Sequence, residues 1–328
     1  MTIVSLRRRR LAQLAGASAA VFAARDAAAQ DTYPDKPIRM VVPFPPGALT
    51  DAIGRVVADR LRENLKQPVV VENKPGASTL LGASQVAKAA PDGYTLMVAT
   101  STTLGIAPAL FNQPPIKISD LTGVAMIGSV TLFLVTHPAV PATDVPTLMA
   151  ALRAKPDAYS YASPGNGTIH HLVMEMLCRQ ENARAQHVPY QGSGPAITDV
   201  MSGRVDFMWI DATVVVQHIR ARRVRPLAVT GSRRAPAFPD VPALTESHPD
   251  IDLVAWQSIA APAGTPDAIV GKLNGEINGM LNDPAFRTRL ADMGVEANPM
   301  SIAAFNALIQ RDAGRWADAV KQSGAKID

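Results

Sequence analysis

The sequence predicts an α/β protein of two lobes, each a mostly parallel sheet flanked by helices, hinged by two strands that cross between the lobes. Three observations carry this. Short β-rich runs alternate with helix-period segments from Ile38 onward. The runs are apolar on successive residues, as strands covered on both faces of a parallel sheet are. Two extended stretches, residues 122–138 and 251–266, have no helix in their middle.

In chain order, "IRMVVPF" precedes a helix over residues 50–65, where Ile53, Val56, Val57, Leu61 and Leu65 share one face. "PVVVEN" precedes a second helix over 78–89, and "YTLMVAT" leads into a third segment after Ser101. The stretch 122–138, "TGVAMIGSVTLFLVTHP", is too long for one strand. It reads as two strands end to end, broken at Gly128, passing from one lobe to the other. "DAYSYASPG", "AQHVPY", "RVDFMWI" and "RPLAVTG" continue the alternation in the second lobe. "IDLVAWQSIAAPAGTP", 251–266, is the return crossing. After it Thr265 as N-cap and Pro266 as first helical residue open the helix "DAIVGKLNGEINGML", and two more helical stretches follow. Lobe I is therefore expected from 30–130 plus 253–328, and lobe II from 131–252.

Residues 1–29 read as an export signal. Arg7, Arg8, Arg9 and Arg10 precede an uncharged stretch, "LAQLAGASAAVFAA", and "AAAQ" offers an A-x-A cut near Ala29. Consecutive arginines with mild hydrophobicity point to the twin-arginine route, with the Sec route as the other. The apolar run is too short to span a bilayer. Of 32 basic and 28 acidic residues, the leader holds five and one, so the remainder is formally neutral. That argues against a nucleic-acid partner, and the export signal places the mature chain in the periplasm. Cys178 is the one cysteine, so no internal disulfide forms; inside "HLVMEMLCRQ" it reads as a buried thiol.

Ligands of open α/β sheets bind outside the carboxyl ends of the strands. The strand-to-helix loops are "PFPPGALTD", "VENKPGASTL", "ATSTTLG", "ASPGNGTIHH" and "PYQGSGPAITD"; all are rich in Gly, Ser or Thr, and Lys74 is their one cation. Helix N-termini carry free N–H groups and about half a positive charge, enough to hold an anion without a cationic side chain. Gly165 and Gly167 let main chain approach a bound group, while Ser163, Thr168 and Ser193 add hydroxyls. The expected guest is small, polar and carboxylate-bearing. In the first of these loops, Pro43, Pro45 and Pro46 stiffen the chain and Gly47 lets it bend.

Enzyme motifs are weak: no G-x-S-x-G elbow, P-loop or C-x-x-C occurs, and His170 stands where "GNGTIH" would need a third glycine. His170 and His171 are adjacent, so on a helix they diverge by about 100° and do not share a metal. No cofactor or metal is expected. A hydrolase built from Ser163 or Ser193 with His and Asp stays open as the alternative class, as does a receptor serving a signalling partner. Phe207, Met208 and Trp209 read as a core strand, with Trp209 or Trp256 lining the cleft as the sharper reading.

The runs "YPDKPIRMVVPFPPGALTD", "VVVENKPGAS", "GASQVAKAAPDGYTLMVATST", "YASPGNGTIHHL", "HVPYQGSGPAITDVMSGRVD" and "RPLAVTGSRRAPAFPDVPALTE" resemble, in order, the Bug-type extracytoplasmic solute receptors, the binding components of tripartite tricarboxylate transporters. The resemblance spans the chain from about Tyr33. It implies a type II-like periplasmic binding fold that closes on its ligand, no catalysis, a small organic acid held by loop amides, hydroxyls and water, membrane transporter subunits as partners, and a monomer. Carried over by residue, it implies a ligand site at the proline-glycine loop, residues 45–51, with Pro46, Gly47, Ala48 and Asp51. It adds Ser101, Thr102 and Thr103, then Ser163, Gly165, Asn166, Gly167, Thr168 and His170. Last come Tyr190, Gly192, Ser193 and Asp206. Apart from the resemblance, aromatic residues are only 5% of the chain, and Phe44, Tyr190 and Trp209 are the candidates to flank a flat ring. Two positions depart from the family pattern: Ala48 replaces a second glycine, which strains the chain if φ there is positive, and Gln191 replaces a lysine or arginine.

Overall fold

In the computed structural model, which describes residues 33–323, strand β1 (Ile38–Val42) buries neighbouring side chains on opposite faces. Met40 and Val42 join Ile53, Val57 and Leu61 of helix α1 (Leu49–Leu65) in one apolar cluster. Strand β2 (Val69–Asn73), helix α2 (Leu80–Ala87) and strand β3 (Thr95–Thr100) follow. On the other face Val41 meets Met97 and Ala99 of β3 and Leu80, Ala83 and Val86 of α2. A sheet covered on both sides needs apolar residues in succession, which is why the runs do not alternate. The exception is β2: it is an edge strand, and Val70 is exposed.

Beyond β3 come a π-helical turn (Thr102–Ile106), helix α3 (Ala107–Leu110), and strands β4 (Leu121–Val130) and β5 (Leu132–Thr136). Helix α4 (Val145–Ala154), strand β6 (Ser160–Ser163), helix α5 (Ile169–Gln180), strand β7 (Gln186–Pro189) and helix α6 (Ser193–Met201) continue the alternation. Strand β8 (Phe207–Asp211), helix α7 (Ala212–Arg220) and strand β9 (Arg225–Val229) complete the middle of the chain. Strand β10 (Ala255–Pro262), helices α8 (Asp267–Asn282) and α9 (Pro284–Asp292), strand β11 (Val295–Ala297) and helix α10 (Ile302–Ser323) end it.

Two sheets result, in the orders β11-β4-β10-β3-β1-β2 and β7-β6-β8-β5-β9. Strands β1, β2 and β3 are parallel, and β10 runs against both β3 and β4. In the second sheet β6, β7 and β8 are parallel, and β5 runs against both β8 and β9. The strand that opposes its neighbours in each case is the one arriving from the other sheet. It follows that β1, β3 and β4 end at the junction, as do β6, β8 and β9, so the loops after these strands face one another. That is the arrangement expected of a two-lobed α/β binding protein.

Three local expectations are corrected. The first crossing turns at Thr131, where Ala212 N–H donates to Thr131 O (3.1 Å), not at Gly128. Gly128 stays inside β4; a Cβ there would stand 2.4 Å from the Glu296 carbonyl oxygen, so glycine lets β11 lie against β4. Helix α2 starts at Leu80, because Ala77, Ser78 and Thr79 take φ values of 46°, 47° and 79°. Helix α8 starts at Asp267, with Pro266 at the N-cap position; Thr265 Oγ1 donates to Pro262 O (2.8 Å) and caps nothing. The export signal lies outside the described residues.

Candidate functional site

Between the two sheets is a cavity of about 50 Å³ lined by the starts of four helices. Phe44, Ala48, Leu49 and Thr50 line it at α1, Thr168, Ile169 and His170 at α5, Gly192 and Ser193 at α6, and Asp211 at α7. Thr100, Ser101, Thr102 and Pro164 complete the two walls, and Ala255, Trp256 and Gln257 enter from the return crossing. None of the four N-cap residues, Ala48, Thr168, Gly192 and Asp211, makes a side-chain cap. Away from the cavity, α4 and α9 are capped by Asp144 and Asp283, while α2, α3 and α8 have no side-chain cap either. It is the convergence of four such starts that marks the cavity. Uncapped first turns present N–H groups and the positive end of the helix dipole to whatever lies between them. No lysine or arginine lines this cavity among the described residues.

The proline-rich loop is held from below. Asp51, buried in the first turn of α1, accepts from Gly47 N–H (2.9 Å), Arg55 Nε (3.0 Å) and Asn73 Nδ2 (2.8 Å). Asn73 also donates to Phe44 O (3.0 Å), tying both ends of the loop to β2. Burial raises the Asp51 carboxyl, but the Arg55, Gly47 and Asn73 hydrogen bonds outweigh it and hold it below the usual carboxylate range. Gly47 has φ 81°, a value that favours glycine. Ala48 has φ −70°, so replacing the family's second glycine introduces no strain there. Pro46, Gly47 and Asp51 shape the loop without lining the cavity.

Thr103 is likewise supporting: Thr100 N–H donates to its hydroxyl, and its own N–H donates to Thr100 Oγ1, both at 3.3 Å. In the second lobe, Ser163 Oγ donates to Gly165 O (3.0 Å), accepts from Gly165 N–H (3.2 Å) and sits 2.7 Å from His187 Nε2. Gly167 N–H donates to His171 Nδ1 (3.1 Å), and the His171 and His187 rings stack at 3.9 Å. Burial lowers both histidines, to about 4 for His171 and about 3 for His187, the latter also facing His171. Asn166 O accepts from Ser78 Oγ across the cleft (2.8 Å), which brings the lobes into contact. Tyr190 is turned away, donating to Asp199 Oδ2 (2.7 Å).

His170 faces the cavity while His171 faces the ring stack, as their spacing on a helix requires. His170 Nε2 lies 3.4 Å from Asp211 Oδ1, and neither ring nitrogen makes a hydrogen bond. Ser193 Oγ donates to Asp211 Oδ2 (3.2 Å). Burial raises the Asp211 carboxyl, but the electrostatic influence of the neighbouring His170 ring and the Ser193 hydrogen bond hold it below the usual range.

Two expected site residues lie elsewhere. Asp206 precedes β8 and so sits at the end of the strand away from the junction; it accepts from Ser160 N–H (2.7 Å) and Oγ (3.2 Å). Trp209 is fully buried in the core between sheet and helices. Trp256 is the tryptophan that reaches the cavity. Sequence reasoning missed Asp211, an acid between an apolar strand and a helix start, although that is the place of an N-cap. It also missed Gln257, which belongs to a crossing strand rather than a loop. A larger cavity of about 260 Å³ lies behind Trp256, between the return crossing and α10. None of the four uncapped helix starts reaches it, so the smaller cavity is the candidate site.

The family model described as the tripartite tricarboxylate transporter family receptor matches residues 53–325. Protein BugT of Bordetella pertussis is 38% identical over 303 residues, covering 90% of this chain and 92% of that protein. The adipate-bound Rpa4515 of R. palustris superposes with a TM-score of 0.85 at 29% identity, covering 90% of this chain and all of that one. MatC of Rhodopseudomonas palustris with bound malate gives a TM-score of 0.81 at 32% identity, covering 88% and 100%. The chain belongs to this family: it is a Bug-type solute-binding receptor of tripartite tricarboxylate transport.

Proposed function

We propose that the protein captures a small carboxylate-bearing solute between its lobes in the periplasm and delivers it to the membrane subunits of a tripartite transporter. The observation that carries this is the meeting of four uncapped helix starts in one cavity free of lysine and arginine. A carboxylate placed there receives several oriented N–H groups at once. The adipate and malate bound by the two relatives are acids of the same class. In this reading the exported chain is cut near Ala29 and acts as a monomer. Segments 30–130 plus 253–328 and 131–252 move as two bodies about Thr131 and the return crossing, opening the small cavity to admit the ligand.

The geometry favours a receptor over a hydrolase. Asp211 stands between Ser193 and His170, so the acid and not the histidine contacts the hydroxyl, the reverse of a nucleophile–base–acid relay. Ser163 does contact His187, but it is fully buried and its hydroxyl is committed to Gly165.

A thermal-shift screen of the purified mature protein over di-, tri- and monocarboxylic acids tests the reading. A true ligand at about 100 times its Kd stabilises the native state by about 2.7 kcal/mol. A panel in which no acid shifts the melting temperature, or in which ester hydrolysis accompanies binding, overturns it.

A further inference from the structure

The cavity holds an anion of its own. Asp211 occupies the N-cap position of α7, where an aspartate ordinarily accepts from the first-turn N–H groups of its helix. Here it makes no such bond. Its carboxylate turns into the cavity, between Ser193 Oγ (3.2 Å) and His170 Nε2 (3.4 Å). Ser193 supplies one donor, and His170 stands too far for a normal hydrogen bond. Gln257 Oε1 is a second buried acceptor lining the same cavity, and it has no hydrogen-bond partner.

A plain dicarboxylate can accept from the unpartnered His170 ring, but it brings no donor to Asp211 or Gln257. It offers only acceptors, so it pairs with the uncapped helix starts and leaves Asp211 and Gln257 facing like groups. Desolvated acceptors without donors disfavour the complex, and like charges at this range repel. A guest with a carboxylate at one end of its polar group and a donor at the other pairs with both kinds of wall.

We propose that the ligand is a zwitterion, an acid carrying an ammonium group, with its carboxylate on the helix starts and its ammonium against Asp211. This rests on the carboxylate reading above and narrows it. Asp211 is then the specificity-determining residue, and His170, whose ring faces the same carboxylate, positions it.

Calorimetric titration of the mature protein with matched acids tests this: succinate, malate and aspartate; glutarate, 2-hydroxyglutarate and glutamate; 4-methylbenzoate and 4-(aminomethyl)benzoate. The aminated member of at least one set is expected to bind at least tenfold more tightly than its plain counterpart. In Asp211→Asn, which keeps the shape and the Ser193 contact, that preference should fall below threefold while the plain acid binds as well or better. Equal or tighter binding of the plain acids by the native protein overturns the inference and leaves the carboxylate reading standing. So does an amine preference that survives in a folded Asp211→Asn. Binding by no acid in any set overturns both. The native protein's preference decides the matter even if the variant fails to fold.

Discussion

Gly47 has φ 81°, and nothing lies within 4 Å of the place a Cβ would occupy. A side chain there is opposed by backbone strain and not by crowding, at a cost of about 1–2 kcal/mol. Gly47→Val should relieve that strain by moving the loop, carrying the start of α1 with it. The expected result is a loss of ligand affinity of about tenfold or more, with a fall in melting temperature of only about 2–4 °C. Calorimetric titration beside scanning calorimetry separates the two; losses in proportion would make the loop purely structural. Asp51→Ala removes the acceptor of Gly47, Arg55 and Asn73, and should cost about 1–3 kcal/mol. Because the folded carboxyl titrates below its ordinary value, this stability is present above the ordinary carboxylate range and is lost as pH falls through the lower folded value. Melts from neutral to acid pH should therefore show wild type and variant converging at the acid end. Residues such as Thr102, Thr168 and Ser193 were legible in the sequence, because Gly, Ser and Thr cluster where strands give way to helices. Asp211 was not: "FMWID" reads as an apolar strand with a charged tail. Asp206 was misplaced because the family pattern marks it without saying which end of β8 faces the ligand.

The Gly-rich start of α5 hangs on two neutral histidines. His187 contacts Ser163 Oγ and His171 accepts from Gly167 N–H, and the rings stack between the two bonds. Both titrate in the folded state well below the ordinary value near 6.5, so between about pH 6.5 and 4 the unfolded chain binds more protons. Stability is then complete above that window and falls as the medium is acidified, by about 1.4 kcal/mol per pH unit for each histidine at most. Thermal melts across this range should show the decline, and His171→Gln with His187→Gln should flatten it. In β4, Gly128→Ala forces a Cβ to within 2.4 Å of the Glu296 carbonyl, a backbone atom that moves only with the strand. The expected cost is about 1–3 kcal/mol, read as a lower melting temperature and faster amide exchange in β11. That close approach was invisible in the sequence, where the same glycine reads as a strand break. The three left-handed residues before α2 were hidden too, since Ala, Ser and Thr do not announce positive φ.

The two-lobe plan was legible because a strand pair with no helix between its members has few places to go in an α/β chain. Thr131 and the segment before Ala255 are the joints, lying side by side: Ala255 pairs with Val130, and Leu132 N–H donates to Thr230 Oγ1 (3.0 Å). The cleft that these joints span depends on strand direction, and that was settled only once β5 and β10 were seen to oppose their neighbours. The same threading sets an order of assembly on the ribosome. The five-stranded sheet uses one unbroken segment, finished when Val229 has been made. The six-stranded sheet waits for β10, which wedges between β3 and β4 at its centre. A nascent chain halted near residue 250 would carry one completed lobe and, beside it, an unpaired edge of β3 and both edges of β4, the kind of surface that aggregates. Release of such a truncated chain should give pellets, whereas chains extended past Ala297 should stay in solution; centrifugation of stalled products tells them apart.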